Sequence, residues 1–246
     1  MGEKMNKIFL CTLVGLVVAI LSRLFKLIKK SATILMFAMI TALMYFGGTK
    51  ALVSVLAVYG MLIISNVVFR KRVRAITETV NKKSGARDCV QLVANCLPAV
   101  IAISFSAIFN SDLFNVVFFS SIGEAVSDSM ASDIGILSLR PPVNIIGLKP
   151  IQRGLSGGIS LLGTTISIVS ALYAGMMYFL IYNPSFIKMM IIFFSSFLGV
   201  VLDSILGSLL QAKFYCEKCG KYTEKKVHCD ANTKHIGGLR FLDNCT

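Results

Sequence analysis

Apolar residues run through the chain in seven long stretches, separated by polar and basic segments. The stretches cover residues 8–22, 32–46, 51–69, 89–109, 113–137, 159–182 and 186–210. A helix needs about 20 predominantly apolar residues to cross a bilayer, and most of the stretches reach that length. We therefore predict an all-α, polytopic integral membrane bundle of about seven helices. Six helices with a re-entrant segment are the alternative, and the windows are too long for a soluble seven-helix bundle.

The composition favours the same class of protein. Hydrophobic residues make up 55% of the 246 and charged residues 15%, and the mean hydropathy is +0.76. Soluble domains have about 45–50% apolar and about 25% charged residues. A disordered chain, a coiled coil and a small disulfide scaffold are excluded. We interpret the first stretch as a retained helix, because Arg23 follows it without a small-residue cleavage site.

The positive charges lie mainly on one side of the predicted seven-span arrangement. Lys and Arg number 25 against 12 Asp and Glu, a formal net charge of +13. Of the 25, 21 fall within residues 23–30, 70–87, 140–153 and 213–240. Cytoplasmic loops carry an excess of Lys and Arg, so this pattern predicts an outside N-terminus and a cytoplasmic C-terminus. The charge excess is thus partly a topology signal, and nucleic-acid binding is disfavoured.

Acidic residues are rare inside the apolar stretches and mark a candidate site. Glu124 and Asp128 are four residues apart, so they share one helical face, with Ser132 one turn further along. Asp133 and Asp203 lie toward the predicted cytoplasmic ends of their stretches. An uncompensated carboxylate in hydrocarbon costs about 2.5–3.5 kcal/mol. We expect these groups to face a polar cavity, a cation or a basic partner, with helix capping or pairing to loop lysines as the simpler alternative.

Residues 147–160, here called the glycine loop, supply complementary chemistry. The candidate phosphate-binding residues in this loop are Lys149, Arg153, Ser156, Gly157, Gly158 and Ser160. Successive glycines can turn backbone N–H groups toward an anion, and a helix N-terminus favours negative charge. The spacing is not that of a P-loop. An ordinary basic cytoplasmic loop is the alternative interpretation.

The acids and the glycine loop together predict one site at the cytoplasmic membrane face. Mg²⁺ binds one or two carboxylates plus substrate phosphates, and phosphoryl transfer depends mainly on positioning and charge neutralisation. Arg87, Gln91 and Asn95 are spaced four apart on one face of the fourth stretch. Arg87 is a candidate phosphate ligand, and the two amides either bind ligand or join helices. The membrane setting predicts a lipid substrate.

Four segments carry a recognisable motif order: GARDCVQLVAN at 85–95, SDSMASDIG at 127–135, KPIQRGLSGGISLLGT at 149–164 and GVVLDSILGSLLQ at 199–211. With the cysteine pattern that follows them, they resemble the plant phytyl-phosphate kinase family, which includes animal transmembrane protein nineteen and uncharacterised prokaryotic proteins. The resemblance implies phosphorylation of an isoprenoid monophosphate, such as phytyl, farnesyl or geranylgeranyl phosphate, to the diphosphate. It also implies a nucleoside triphosphate, CTP, as the donor.

The resemblance also implies roles for individual residues. Asp128 and Asp133 would hold Mg²⁺ and nucleotide phosphates, with Glu124 and Asp203 in support. Asn244, in the last motif of the family order, is a further supporting polar residue. Asp133 stands where the family more often has Glu, and Ser156 stands where the family has an Asn.

Residues 211–246, here called the tail, contain the ligand types of a metal site. The candidate ligands are Cys216, Cys219, His228 and Cys229, with His235 nearby. Disulfides are disfavoured in the cytoplasm, whereas Cys-x-x-Cys and His-Cys are typical Zn²⁺ ligands. A structural Zn²⁺ site and free thiols are the two alternatives. Residues 1–210 form the predicted transmembrane domain and the tail a cytoplasmic segment.

Two other functions would use the same residues. A lipid-phosphate cytidylyltransferase would convert CTP and a lipid phosphate to a CDP-lipid and pyrophosphate. A transporter would use Glu124, Asp128 and Asp203 as ion sites, although no inverted repeat is apparent and the acids gather near one face. The leading prediction is a Mg²⁺-dependent prenyl-phosphate kinase in the membrane. Isoprenoid length, nucleotide base and oligomeric state stay open.

Overall fold

The computed structural model describes residues 2–25, 27–80, 89–224 and 226–240, and helices dominate this part of the chain. The helices are α1 (Gly2–Leu24), α2 (Thr33–Val80), α3 (Cys89–Phe109), α4 (Leu113–Gly135), α5 (Leu161–Ile181) and α6 (Phe186–Leu210). A short 3₁₀ turn, Lys30–Ala32, precedes α2. The predicted helical membrane bundle is confirmed; the bounds of α3 and α6 coincide with the apolar stretches, whereas α2 runs through two stretches and ends at Val80.

One glycine interrupts the longest helix. Gly48 adopts φ 63° and ψ −159° inside α2, which lies outside the helical region. Glycine takes positive φ without the Cβ clash that other residues meet. The break falls between the predicted second and third apolar stretches, because it separates residues 33–47 from residues 49–80. The exact number of membrane crossings and their orientation stay predictions.

Within the described residues, five helical segments are long and apolar enough to cross a membrane. They are Met5–Leu24, Lys30–Phe69, Cys89–Phe109, Leu161–Ile181 and Phe186–Leu210. Large apolar side chains on these segments point outward, with Ile34 80% and Leu161 81% exposed. Outward-facing side chains of this kind suit contact with lipid. Helix α4 is not among the five, and it is the helix that carries Glu124, Asp128 and Asp133.

The chain divides into two compact units. The first comprises Met1–Ile64, Gly85–Val126 and Val169–Ser196, and the second comprises Ser65–Ser84, Ser127–Ile168 and Phe197–Thr246. Helices α2, α4, α5 and α6 each contribute residues to both units. The tail belongs to the second unit, together with the last turns of α4 and α6. The division that we predict at residue 210 is a functional one and stays a prediction.

The first unit has a core of aromatic and small residues. Phe118, Phe119 and Tyr178 are fully buried, and the rings of Phe119 and Tyr178 meet edge to face at 5.3 Å. A Cβ atom on Gly123 would lie 2.5 Å from the Ser196 hydroxyl and 2.8 Å from the Ala174 Cβ. Small residues therefore let α4, α5 and α6 approach closely here, as is usual for membrane helices.

The second unit contains short strands that the apolar pattern did not reveal. In the loop after α4, β1 (Val143–Asn144) pairs antiparallel with β2 (Gly158–Ile159). In the tail, β3 (Lys213–Cys216), β4 (Lys221–Thr223) and β7 (Lys234–Gly237) form a sheet in the order β4-β3-β7. The strands β5 (Val227–His228) and β6 (Ala231–Asn232) form a separate hairpin. The helical bundle thus carries a small β-structured tail.

Candidate functional site

The first turn of the glycine loop is held by the side chain of Asn144, which precedes the loop. The Oδ1 atom of Asn144 accepts hydrogen bonds from the backbone N–H groups of Ile146 (2.9 Å) and Gly147 (3.0 Å). The backbone N–H of Asn144 donates to the Lys149 carbonyl at 2.9 Å. This local hydrogen bonding is typical of Asn in turns. Sequence reasoning missed Asn144, although an Asn followed by a glycine-containing segment is a turn signal.

The loop packs directly on the end of α6. Gly157 is buried with φ +78°, and a Cβ atom there would lie 2.4 Å from the Ser208 Cβ. The Asn144 side-chain amide donates to the Ser208 hydroxyl at 2.8 Å. Gly207 lies beside the same segment, where an added Cβ would be 3.3 Å from the Gly157 backbone N. The loop therefore tolerates only glycine at position 157, for reasons of both conformation and space.

The other side of the loop joins the end of α4 to the start of α5. The Ser160 hydroxyl donates to the Gly135 carbonyl at 3.2 Å and accepts from the Gly163 N–H at 3.1 Å. The second bond makes Ser160 the N-cap of α5. Gly163 in turn lies against the last turn of α4, where an added Cβ would be 3.1 Å from the Ala131 carbonyl oxygen. Ser160, a predicted phosphate ligand, thus has a structural role.

The two predicted cations of the loop differ in their surroundings. The Nη2 atom of Arg153 donates to the carbonyls of Ser138 (2.7 Å) and Leu139 (3.1 Å), just after α4. A phosphate would therefore use Nε and Nη1 of Arg153, because Nη2 is already occupied. Lys149 is exposed on the loop. Of the two, Lys149 is the better placed to reach a ligand that approaches from solution.

The predicted acids occupy different environments. Asp128 and Asp133 on α4 are half-buried, whereas Ser132 and Asp203 are exposed. In the part of the chain that the structure describes, the only group of three or more Cys, His, Asp or Glu side chains close enough to share a metal ion lies in the tail. Within the second unit, Asp128, Asp133 and Asp203 therefore do not meet at one point. A Mg²⁺ ion held by one or two carboxylates and by phosphates needs no such convergence.

A carboxylate of the tail, in addition to the four membrane acids, contacts the glycine loop. Glu224 is 7% exposed, and its Oε1 atom accepts a hydrogen bond of 2.5 Å from the backbone N–H of Ser156. The side chain of Gln211, at the end of α6, donates to the Glu224 Oε2 atom at 3.4 Å. The Glu224 carboxylate thus already accepts a hydrogen bond from one of the backbone N–H groups that the sequence suggests for phosphate binding. Sequence reasoning missed Glu224, because 68 residues separate it from Ser156.

The first unit contains a cavity of about 400 Å³. One face of α4 lines the cavity at the spacing of successive helical turns, and residues of α3 and α6 complete the wall. The lining residues are Leu113, Val116, Val117, Ser120, Ser121 and Glu124 of α4, Ala94, Asn95 and Pro98 of α3, and Ile191 and Ser195 of α6. Leu113 and Glu124 are about 16 Å apart along the helix axis at about 1.5 Å per residue. The cavity is therefore long, with carboxylate and hydroxyl groups toward one end and aliphatic side chains toward the other.

Two of the predicted polar residues on α3 separate in the structure. Asn95 lines the cavity, while Gln91 is exposed. Pro98, which also lines the cavity, has no N–H to donate to the Ala94 carbonyl one turn earlier. Arg87 and Asn244 lie outside the described residues.

The predicted metal ligands of the tail come together. The ligand atoms of Cys216, Cys219, His228 and Cys229 all lie within 4.8 Å of one another. His235 does not join them, because its ring packs edge-on against Phe214. The side-chain hydrogen bond with His228 lowers the pKa of Cys216 to about 6, and burial raises the pKa of Cys229.

Comparison with known proteins places the chain in a family. The family described as "Integral membrane protein DUF92" matches residues 13–246. The chain belongs to this family. An uncharacterised membrane protein of Methanocaldococcus jannaschii is 27% identical over 215 residues, 86% of either chain. Protein PGR of Arabidopsis thaliana is 24% identical over 189 residues, 66% of this chain and 64% of its own length. No solved structure matches the chain.

Membership in DUF92 agrees with the outward-facing apolar helices, so the protein is a multi-pass integral membrane protein embedded in a lipid bilayer. The match includes α2 to α6, the glycine loop and the tail. These parts therefore belong to one family unit, although the family description assigns no reaction to it. The chemistry of the sites has to be argued from their residues.

Proposed function

We propose that this DUF92 member is a membrane-embedded phosphotransferase that converts an isoprenoid monophosphate to the diphosphate with a nucleoside triphosphate, CTP first among them. The observation that carries the proposal is the packing of the glycine loop. Within the second unit, this loop contacts both the end of α4, which bears Asp128 and Asp133, and the end of α6. Backbone N–H groups, cations and carboxylates in one unit are the parts that phosphoryl transfer uses.

The loop and its cations would bind the nucleotide phosphates. Lys149 supplies an exposed ammonium group, and the backbone N–H groups near Gly158 supply neutral donors of fixed direction. Asp128 and Asp133 have the hard oxygen donors that suit Mg²⁺, and two half-buried carboxylates match its usual number of protein ligands. The ion, when bound, would neutralise charge on the transferred phosphoryl group.

The acceptor would be an anionic phosphate whose own oxygen attacks the terminal phosphorus of the nucleotide. A new P–O bond forms to the lipid phosphate, and the bridging P–O bond to the nucleoside diphosphate breaks. The lipid phosphate is already deprotonated near neutral pH, so the step requires no strong general base. Positioning and charge neutralisation by the loop and by α4 are then the main contributions of the protein.

The cavity of the first unit would hold the isoprenoid chain. Its volume of about 400 Å³ lies in the range of about 300–1,000 Å³ that is usual for small-molecule sites. Leu113, Val116 and Val117 provide an apolar wall, and Glu124 and Asn95 provide polar groups. An isoprenoid phosphate has the same division into an apolar chain and a polar end.

The direct test is an activity panel on the purified protein in lipid vesicles. Phytyl, farnesyl and geranylgeranyl phosphate are each combined with CTP, ATP or GTP and Mg²⁺, and the products are identified by mass spectrometry. We expect a prenyl diphosphate and a nucleoside diphosphate. A CDP-lipid with pyrophosphate would identify a cytidylyltransferase instead, and the absence of any nucleotide-dependent product across the panel would overturn the proposal.

Two variants locate the reaction. Asp128→Asn is expected to lower kcat by about 100-fold or more, since it removes a charge that the transfer requires. Asp112→Asn, just before α4, is the matched control and should leave kcat unchanged. Val117→Phe is expected to raise KM for the lipid about tenfold, equal to about 1.4 kcal/mol, by filling the cavity. Ile187→Phe, on an exposed part of α6, should not. Unchanged kinetics in both test variants would contradict the assigned sites.

A further inference from the structure

The four clustered side chains of the tail point to a bound metal. Two thiols contact the same ring nitrogen: Nδ1 of His228 is 3.4 Å from the Cys219 Sγ and 3.2 Å from the Cys229 Sγ. Cys216 is fully buried, and His228 is 9% exposed. Ligands at about 2.0–2.3 Å from a shared tetrahedral zinc ion lie about 3.3–3.8 Å from one another. The two distances from Nδ1 of His228 are close to that spacing.

Two tight turns bring the ligands together. After Cys216, the chain turns so that the Gly220 N–H donates to the Cys216 carbonyl at 2.9 Å, and Gly220 has φ +68°. This turn places Cys219 back beside Cys216. In the β5–β6 hairpin, Cys229 and Asp230 have φ values of 54° and 56°. A two-residue hairpin turn with both φ values positive is a type I′ turn, which usually takes Asn or Gly.

The second turn therefore has a cysteine, Cys229, at a position where conformation alone favours Asn, Asp or Gly. A non-glycine residue with positive φ costs about 1 kcal/mol or more. A cysteine in that position presents its thiol to the pair Cys216 and Cys219. Metal coordination would offset the conformational cost, because the free energy of zinc binding to such sites is large.

We propose that the tail binds one structural Zn²⁺ through Cys216, Cys219, His228 and Cys229. Three thiolates and one imidazole are a standard closed zinc site with no open position, so the ion has a structural role rather than a catalytic one. Soft sulfur ligands disfavour Mg²⁺ and Ca²⁺. No disulfide joins the cysteines that the structure describes, which agrees with a site built from thiolates.

The ion would also fix the tail against the glycine loop. Strand β4 begins two residues after Cys219, and the Tyr222 N–H donates to the Gln152 side chain of the loop at 3.1 Å. Glu224 follows directly and accepts the N–H of Ser156 at 2.5 Å. The zinc ligands flank these two contacts in the chain. Loss of zinc would therefore release β4 and Glu224 from the loop. The effect of that release on phosphoryl transfer rests on the proposed function.

The first experiment measures metal content. The full-length protein is purified in detergent without a His tag, and bound metal is quantified by elemental mass spectrometry. We expect about one zinc per chain, falling below about one tenth in Cys219→Ser and in Cys229→Ser. Cys89→Ser is the matched control, because Cys89 lies in α3, and it should keep its zinc. Wild-type protein without stoichiometric zinc, even after zinc addition and dialysis, overturns the proposal.

A second experiment does not depend on the folding of the variants. Zinc in the wild-type protein is exchanged for Co²⁺, whose visible spectrum reports ligand type and geometry. We expect the bands of tetrahedral Co²⁺ with thiolate ligands, and protection of three thiols from alkylation until a chelator is added. An octahedral spectrum, or mass spectrometry showing a disulfide between tail cysteines, would contradict the site.

Metal content and catalysis fail separately. A protein that holds zinc but transfers no phosphoryl group would support the zinc site and overturn the proposed function. A protein that is active but holds no zinc would support the proposed function and overturn the zinc site. If the variants that lose zinc also become sensitive to protease between residues 211 and 240 while α3 stays protected, the loss is confined to the tail as the contacts predict.

Discussion

The two compact units hold their polar groups in different ways. In the first unit, buried rings and small residues pack the helices together, and one group of polar contacts centres on Asp112, which pairs with Lys188 and accepts from Tyr178 at 3.0 Å. In the second unit, polar side chains hold backbone that is neither helix nor long strand. Asn144 and Glu224 accept backbone N–H groups of the loop region, and Ser160 accepts the N–H of Gly163 in the first turn of α5.

This difference follows from what each unit has to stabilise. Helices satisfy their own backbone groups and need only packed side chains to associate. A loop has no internal ladder of hydrogen bonds, so its buried N–H and carbonyl groups need side-chain partners. A charged ligand can also displace such a side chain and take over its hydrogen bonds to the loop backbone. The second unit is therefore the better candidate for binding charged groups, and the first for binding an apolar chain.

The largest effect is expected at Gly157. Gly157→Ala adds a Cβ 2.4 Å from the Ser208 Cβ at a backbone φ of +78°. Backbone strain and overpacking together should lower the free energy of unfolding by about 3 kcal/mol. Gly147→Ala is the control in the same loop, because the nearest atom to its Cβ is 4.0 Å away. Thermal unfolding in detergent measures both variants, and equal stabilities would show that the loop is not packed as described.

A smaller effect is expected from Glu224. Glu224→Ala removes a charged acceptor from the Ser156 N–H, which should cost about 1.5–3 kcal/mol. Glu224→Gln keeps an oxygen acceptor and should recover part of the loss. Limited proteolysis of the tail and the loop follows the change. Identical protease patterns in all three proteins would mean that this carboxylate does not join the tail to the loop.

The first unit offers a test at one charged side chain, Asp112, which lies between α3 and α4. Here the expected effect on stability depends on pH. Burial alone would raise the pKa of Asp112, but hydrogen bonds from Asn115, Lys188 and Tyr178 prevail and lower it below 3.8. Its stabilising effect is therefore fully present above about pH 4 and is lost as the pH falls through the lowered pKa. Asp112→Asn should cost about 1 kcal/mol at neutral pH and much less in acid. Stability curves of the two proteins that run parallel at every pH would refute this assignment.

The smallest effect is expected at Ser160. Ser160→Ala removes the N-cap of α5 and should cost about 1 kcal/mol. Thr165→Ala, one turn inside the same helix, is the control: the Thr165 hydroxyl bonds only the Leu161 carbonyl at 2.9 Å, so the change should stay within about 0.5 kcal/mol. Denaturant titration in detergent compares them. A loss in the control as large as in Ser160→Ala would remove the capping role.

Sequence reasoning succeeded where the physics is local. Apolar stretches long enough for a bilayer predicted the helices, and the gap between the stretches at 32–46 and 51–69 contains Gly48, where α2 breaks. The Cys-x-x-Cys spacing and His228-Cys229 marked the clustered ligands of the tail. Each of these features depends on residue types that are close together in the chain.

Sequence reasoning failed where partners are distant. Ser208 and Gln211 stand inside a motif that was noted at residues 199–211, yet nothing local indicates that Ser208 bonds Asn144, 64 residues earlier. The sequence likewise did not indicate that Ser160 and Arg153 bond backbone carbonyls near the end of α4, and their predicted contacts with phosphate stay predictions. Such pairings depend on how the chain folds back on itself.

The sequence by itself determined that this protein is a helical membrane protein, because hydrophobic length and charge bias act along the chain without reference to any partner. It also supplied the inventory of acids, cations and thiols. Only the tertiary structure decided how these groups are distributed. It placed Asn95 and Glu124 in one cavity, gathered the four candidate metal ligands of the tail, and brought Glu224 onto the glycine loop. Burial and hydrogen bonding between distant residues have no signature in a linear pattern, since they arise only when the chain has packed.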